Sequence, residues 1–418
     1  MAFFGPNNKL LIGDNGIVIS SFDSDGVSAT TIASTEFSIT SSNPDAGANF
    51  GESVAVGSGR IVVGEPKFDY SSVDDIGSVY IYNLDGALAS TEIYGAILSS
   101  STYLGGSVAV GGGRIASGNS GSGNFSGLYT WDLDGENRSG LQGSAQMTTT
   151  VDIGSGKLVV GHRAYDSAPY DGKIEIWDIY DNHAGSNENM LANQTPITIV
   201  SPDSSGSMLF GSEVSVGHGK ILSTSLPLNS NSNPIHLFDA HGNFIKGLKP
   251  ADWGSVDYYG GGGNYHPHAT DIGCGLMIVG AYLADSDGVA GGKAYVYDLN
   301  GNEKFQLIAS DRIQNDWFGM GVAIGSNRIA VGASGWNNDQ GKVYIYNLQG
   351  DSVEQITASD GAAGDEFGTS LAFGNNRLIV GAPKASSAAG KVYGYKLDGT
   401  TDTYFEDVLD TVGNNKWA

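Results

Sequence analysis

The sequence predicts an all-β protein, a single β-propeller of four-stranded antiparallel blades. Three observations lead there. One unit of sequence recurs seven times, roughly 50 residues apart, a period that marks solenoids and propellers. Each unit holds three short apolar segments with period-two alternation, too short for helices, and a turn signal that leads into a fourth. The composition, with 63 glycines in 418 residues and 16% charged residues, suits many tight turns and little helix.

The elements of a unit are clearest in Phe50 to Gly86, Phe318 to Gly350 and Phe367 to Gly399. A Phe-Gly start leads into a first strand, with Val54 and Val56 alternating, that closes on a glycine. The closing glycines are Gly57, Gly111, Gly154, Gly217, Gly273, Gly325 and Gly374. A tight turn follows, as in Gly57-Ser58-Gly59 or Gly374-Asn375-Asn376, and delivers the second strand with Ile61 and Val63. The third strand, with Val79 and Ile81, ends in Leu84-Asp85-Gly86 or a relative such as Leu299-Asn300-Gly301. Asp-Gly and Asn-Gly suit type I′ hairpins into a fourth strand. Four antiparallel strands per unit make one propeller blade.

Full repeats start near residues 50, 104, 147, 210, 266, 318 and 367, with Met147-Thr148 and His266-Pro267 departing most from Phe-Gly. An eighth blade is expected from the termini. Residues 1–38 read as a blade lacking its innermost strand, and 403–418 approximate the missing piece. The favoured architecture is therefore one domain over 1–418, an eight-bladed ring closed by pairing of N- and C-terminal strands. Seven blades with loose termini is the runner-up. Pairing of the tail with the next copy would instead give a self-assembling filament.

The Phe-Gly pairs stand at Phe50-Gly51, Phe210-Gly211, Phe318-Gly319 and Phe367-Gly368, with Leu104-Gly105 as a near match. A second motif stands at Gly64-Glu65-Pro66, Gly280-Ala281-Tyr282, Gly332-Ala333-Ser334 and Gly381-Ala382-Pro383. Together they resemble the FG-GAP repeat, the blade unit of integrin α-subunit-type β-propellers. The resemblance implies adhesion-type roles outside cells. It also implies, in many members, a calcium loop of Asp-x-Asp-x-Asp-Gly type between the first two strands. Here that connection carries no carboxylates, so no cofactor is expected. Asp285 and Asp287 resemble a fragment of such a loop, as do Asp23 and Asp25. His266 and His268, two apart, would point to the same side of a strand and are further candidate metal ligands.

The net charge of −24, from 45 acids and 21 bases, disfavours a nucleic-acid partner because phosphates would be repelled. Cys274 is the one cysteine, which excludes an intramolecular disulfide framework. No window approaches a transmembrane helix, so membrane insertion is not expected. No secretory signal is visible at Met1 to Lys9. An adhesion-type module without a signal fits a bacteriophage virion component, in the tail, fibre or capsid surface, or another extracellular part of a larger assembly. A cytoplasmic location stays open.

Connections between strands two and three, and between blades, vary in length and emerge on one rim, where repeat proteins usually bind. That rim is acidic and aromatic. Asp69, Asp74, Asp75, Asp316, Asp339 and Asp365 are interleaved with rings such as Tyr70, Tyr282 and Trp336. Rings beside carboxylates suit sugars, which offer apolar faces and hydroxyls. The connection between the fourth and fifth repeats has the highest aromatic density, and the candidate binding residues are Trp253, Tyr258, Tyr259, Tyr265, Tyr282 and Trp336. No Gly-x-Ser-x-Gly elbow between strand and helix, phosphate-cradling loop or His-Glu-x-x-His appears. The expectation is a non-catalytic module for a protein or glycan partner; a glycan-acting hydrolase or lyase using rim acids is the alternative.

Overall fold

Seven two-residue turns organise the molecule. The computed structural model describes residues 3–4, 10–12, 17–18, 32–69, 74–89, 93–94, 102–119, 127–136, 139–142, 147–164, 172–179, 191, 194–202, 207–227, 234–250, 252, 269–284 and 291–397. At 58–59, 112–113, 155–156, 218–219, 274–275, 326–327 and 375–376 both turn residues have positive φ. That is the type I′ hairpin, whose twist matches the strands it joins. Each turn links the first and second strands of a blade.

The first three strands of blade 1 are Ser53–Gly57, Arg60–Glu65 and Ser78–Asn83, with Ile93–Tyr94 as the fourth. Blades 2 to 6 follow in sequence with inner strands Leu104–Gly111, Met147–Gly154, Val214–Gly217, Thr270–Gly273 and Phe318–Gly325. All are four-stranded antiparallel sheets. Blade 7 takes Ser370–Gly374, Arg377–Ala382 and Lys391–Leu397 from the end of the described chain and Ile32–Ile39 from its beginning. In that sheet Val392 lies opposite Ile39 and Tyr393 opposite Ser38.

The blade count is therefore seven, not the favoured eight. A Cβ built on Gly57 would come within 2.7 Å of the Val110 carbonyl oxygen in blade 2, and one on Gly374 would overlap the Val56 carbonyl oxygen in blade 1. The inner strands of blades 7 and 1 are direct neighbours, which leaves no place for another sheet. The N-terminal apolar alternation does form a strand, Ile32–Ile39, but its partner is the third strand of the seventh repeat, not a blade of its own. Residues 403–418, the other half of the expected composite blade, lie outside the described residues. Phe3–Phe4, Leu10–Ile12 and Ile17–Val18 form a three-stranded antiparallel sheet of their own.

The hairpins between third and fourth strands also differ from expectation. Gly86 has φ +83 and donates its N–H to the Asn83 carbonyl at 3.0 Å, while Asp85 keeps negative φ. Blades 5 and 6 repeat this at Gly301 and Gly350, with register shifts between Val296 and Tyr297 and between Ile345 and Tyr346. This is a type I turn with a glycine bulge. Asp298 favours it by accepting the backbone N–H of both Asn300 and Asn302, at 2.9 and 3.0 Å.

The two family-like motifs are two halves of one seam. Phe50, Phe318 and Phe367 are fully buried and stand edge-on to Tyr80, Tyr344 and Tyr393 at centroid distances of 5.2, 5.3 and 5.3 Å. Phe210 does the same on His236, and Leu104 fills the position in blade 2. Burying each ring stabilises the fold by roughly 2–3 kcal/mol. The glycine after each apolar start then meets the preceding blade: Cβ atoms on Gly64, Gly280, Gly332 and Gly381 would overlap the carbonyl oxygens of Gly105, Gly319, Gly368 and Gly51. Only a residue without Cβ allows that approach. Ser53 and Ser370 hydroxyls add 2.8 Å hydrogen bonds to the Gly105 and Gly51 carbonyls across the same seams.

Candidate binding rim

Antiparallel alternation sends the second-to-third connections and the connections between blades to the rim opposite the type I′ turns. In five blades the residue directly before the buried Phe or Leu lies on this rim with a left-handed backbone: Asn49, Tyr103, Leu209, Trp317 and Glu366, with φ between 52° and 62°. Bulky residues rarely adopt this conformation, and the packed Phe-Gly seam below holds them there. The backbone is constant while the side chain changes from amide to phenol, alkyl, indole and carboxylate.

Blades 6 and 7 carry a second left-handed device. Asn337, Asn338 and Asp339 have φ of 53°, 59° and 61°, and Ser386, Ser387 and Ala388 have 56°, 62° and 64°. Each left-handed residue costs roughly 1–2 kcal/mol. The loops are pinned by backbone bonds from Gly341 to Trp336 and from Gly390 to Ala385, at 3.0 and 2.9 Å.

Of the sequence-predicted binding residues, two are described. Trp336 is half-buried at the start of the left-handed turn, with the Lys342 ammonium 3.8 Å from its ring centroid. Tyr282 is buried beside the second strand of blade 5. Trp253, Tyr258, Tyr259, Tyr265, Asp285, Asp287, His266 and His268 lie outside the described residues. Among the described residues no group of three or more His, Cys, Asp or Glu is placed to hold a metal ion. The seven type I′ turns occupy the position of the family's calcium loop and present no carboxylate, so that ion does not fit there.

Several rim acids close their own loops. Asp69 accepts the Asp75 N–H at 2.7 Å, Asp316 accepts that of Ile313 at 2.8 Å, and Asp365 that of Ala362 at 2.8 Å. Sequence reasoning missed a further set. Asp252, Asp311 and Asp360 each reach from a connection between blades to a Lys-x-Tyr pair on the next third strand. Asp311 accepts from Lys342 Nζ at 2.8 Å and from the Tyr344 hydroxyl at 2.6 Å. Asp252 accepts from Lys293 and Tyr295 at 2.8 and 3.0 Å, and Asp360 from Lys391 and, at 2.8 Å, Tyr393. Burial would raise the Asp311 pKa, but Lys342 and Tyr344 outweigh it and hold the carboxyl below its ordinary value; Lys391 and Tyr393 do the same for Asp360.

Where blades 7 and 1 meet, Asn49 Nδ2 donates to Glu52 Oε2 at 2.9 Å and Lys384 Nζ donates to Asn49 Oδ1 at 3.3 Å. Burial pushes Glu52 up to about 7, against the pull of Lys384, Lys67 and the Asn49 amide. Burial also raises Glu366.

The FG-GAP repeat family model matches residues 34–82, 302–346 and 351–395. The chain carries FG-GAP repeats. Each matched repeat begins in the fourth strand of one blade and runs through three strands of the next, so 34–82 contains the closing strand of blade 7 and most of blade 1. The FG-GAP unit is thus offset from the blade. Among solved structures the chain is similar to BamB from Moraxella catarrhalis, at 13% identity and a TM-score of 0.45, covering 88% of this chain and 100% of that one. It is also similar to a chain of the Mitotic Checkpoint Complex, at 13% identity and a TM-score of 0.49, covering 91% and 98%. No curated protein matches the chain.

Proposed function

We propose that the FG-GAP propeller is a non-catalytic binding module that presents its long-loop rim to a protein or glycan partner. The observation that carries this reading is the row of left-handed residues ahead of the Phe-Gly seams. A rigid mount holds different side chains at equivalent places, and of these Tyr103, Trp317 and Glu366 are open enough to meet a partner, while Asn49 and Leu209 are buried. Half-buried Tyr103, Trp317 and Trp336 offer ring faces for sugars or apolar side chains, and Glu366 and Asp339 offer hydroxyl acceptors. An adhesive role on a virion or outside a cell accords with the FG-GAP repeats and with the acidic surface.

A glycan array and a protein-fragment display library test this together. Binding that falls at least about tenfold in Trp317→Ala and Tyr103→Ala, with the unfolding midpoint unchanged, supports the rim. Binding that survives both substitutions places the surface elsewhere. Release of reducing ends from a bound polysaccharide would replace the module with a hydrolase.

A further inference from the structure

We propose that Lys384 and Asn49 form an intramolecular amide bond that covalently closes the propeller ring. The three groups needed stand in line. Lys384 Nζ is 3.3 Å from Asn49 Oδ1, and Glu52 Oε2 is 2.9 Å from Asn49 Nδ2, the nitrogen that would leave. Asn49 is 2% exposed and Glu52 9%, so water competes poorly for the carboxamide. The backbones are already stitched: Gly47 and Asn49 both donate to the Ala388 carbonyl, at 3.1 and 3.0 Å, and Ala388 donates to the Lys384 carbonyl at 2.9 Å. Fixed geometry of this kind replaces an encounter with a local rotation of Nζ toward Asn49 Cγ.

The step needs no oxidant and no cofactor. The Lys384 ammonium gives a proton to the Glu52 carboxylate, and the free amine attacks Asn49 Cγ. Nζ sheds a second proton from the tetrahedral intermediate, and Nδ2 collects both protons through Glu52 and departs as ammonium. The Nζ–Cγ bond forms and the Cγ–Nδ2 bond breaks. Glu52 acts as the proton carrier, and its pKa near 7 suits it to accept and donate at neutral pH. The charged groups facing it are Lys384, Lys67 and Glu366.

The trio occurs where the ring must close. At the next seam its equivalents are Lys67, Tyr103 and Gly106; at the preceding one they are Gly335, Glu366 and Thr369. Neither set has both an amide and a carboxylate. The link would span 335 residues and hold all seven blades even if the terminal strand of blade 7 detached. With Cys274 the only cysteine, no intramolecular disulfide could do this.

Intact-mass spectrometry of the full chain tests the bond directly. The expected mass is short of the sequence mass by one ammonia, with a branched peptide joining Asn49 to Lys384 after protease digestion. The denatured chain should also migrate faster in a gel than K384R or N49A, both of which should show the full mass. Glu52→Gln should retain a larger unlinked fraction. Full mass in the unaltered protein, with Asn49 and Lys384 on separate linear peptides, overturns the proposal. So does an ammonia deficit confined to a linear peptide, which marks a cyclic imide.

Discussion

Blade 6 and blade 1 tether their third strands to the connection arriving from the preceding blade, but with opposite chemistry. In blade 6 Asp311, four residues past the strand Glu303–Leu307, pairs with Lys342 and Tyr344, and its side chain is 41% exposed. In blade 1 Asn43 stands at the aspartate position and Ser78 at the lysine position. The carboxylate has moved to Glu65, where blade 6 has Ala333. Glu65 Oε2 accepts from Tyr80 at 2.6 Å, Ser78 at 3.0 Å and Ser41 at 3.4 Å, and the residue is fully buried. One tether is an ion pair whose carboxylate faces water, and the other a dry carboxylate among hydroxyls. Water screens the first, so its loss costs little; it cannot rescue the hydroxyls of the second.

The comparison breaks most completely when the seam beside the blade 6 tether is removed. In Gly332→Val the new side chain would collide with the Gly368 carbonyl, which is backbone and cannot rotate away. The expected loss exceeds about 4 kcal/mol, or folding fails, as urea titration and gel filtration would show. A near-native urea midpoint would mean that the blades can part without cost.

Glu65→Ala comes next. It leaves Tyr80, Ser78 and Ser41 around an empty acceptor and should cost about 3 kcal/mol by urea unfolding. Adding Ser41→Ala, Asn43→Asp and Ser78→Lys rebuilds the blade 6 pattern in blade 1 and should restore most of that stability. Failure of the rebuilt blade would show that the two tethers are not interchangeable.

A second dry carboxylate sharpens the contrast through pH. Glu52 titrates near 7 in the folded chain and near 4.5 when unfolded, so the folded state binds more protons between these values. Stability should therefore fall as pH rises from 4.5 through 7, by on the order of 2–3 kcal/mol, and level off about a unit above 7. Glu52→Gln removes that slope. An unchanged slope in the variant would assign the descent to other groups.

The sequence showed the strands, the seven tight turns after the first strands and the Phe-Gly starts because each rests on local residue types; the type I′ geometry it placed on the Asp-Gly and Asn-Gly hairpins belongs instead to those seven turns. The closing strand was legible as a strand but not as blade 7's, since Ile39 meets Val392 across nearly the whole chain and no local signal reports such a pairing. The aspartate tethers did leave a trace. Asp252, Asp311 and Asp360 each lie four residues past the end of a fourth strand, and the last two precede their lysines by 31 residues. The left-handed rim residues left none: Asn, Tyr, Leu, Trp and Glu share no chemistry, and the seam below dictates their backbone.

The smallest effect belongs to the blade 6 tether. Asp311→Ala should cost about 1 kcal/mol, because the carboxylate it removes is 41% exposed and the nearly buried Lys342 ammonium it leaves keeps Gln355 Oε1 at 3.3 Å and the Trp336 ring face at 3.8 Å. The Asp311 pKa is lowered in the folded state, so its contribution is complete above the unfolded carboxylate value near pH 4. It fades as pH falls through the lower folded value. Raising the salt concentration should erase most of the difference between Asp311→Ala and the unaltered chain, while leaving that of Glu65→Ala in place. If salt removes both differences equally, the Glu65 cluster is wet as well, and burial does not separate the two tethers.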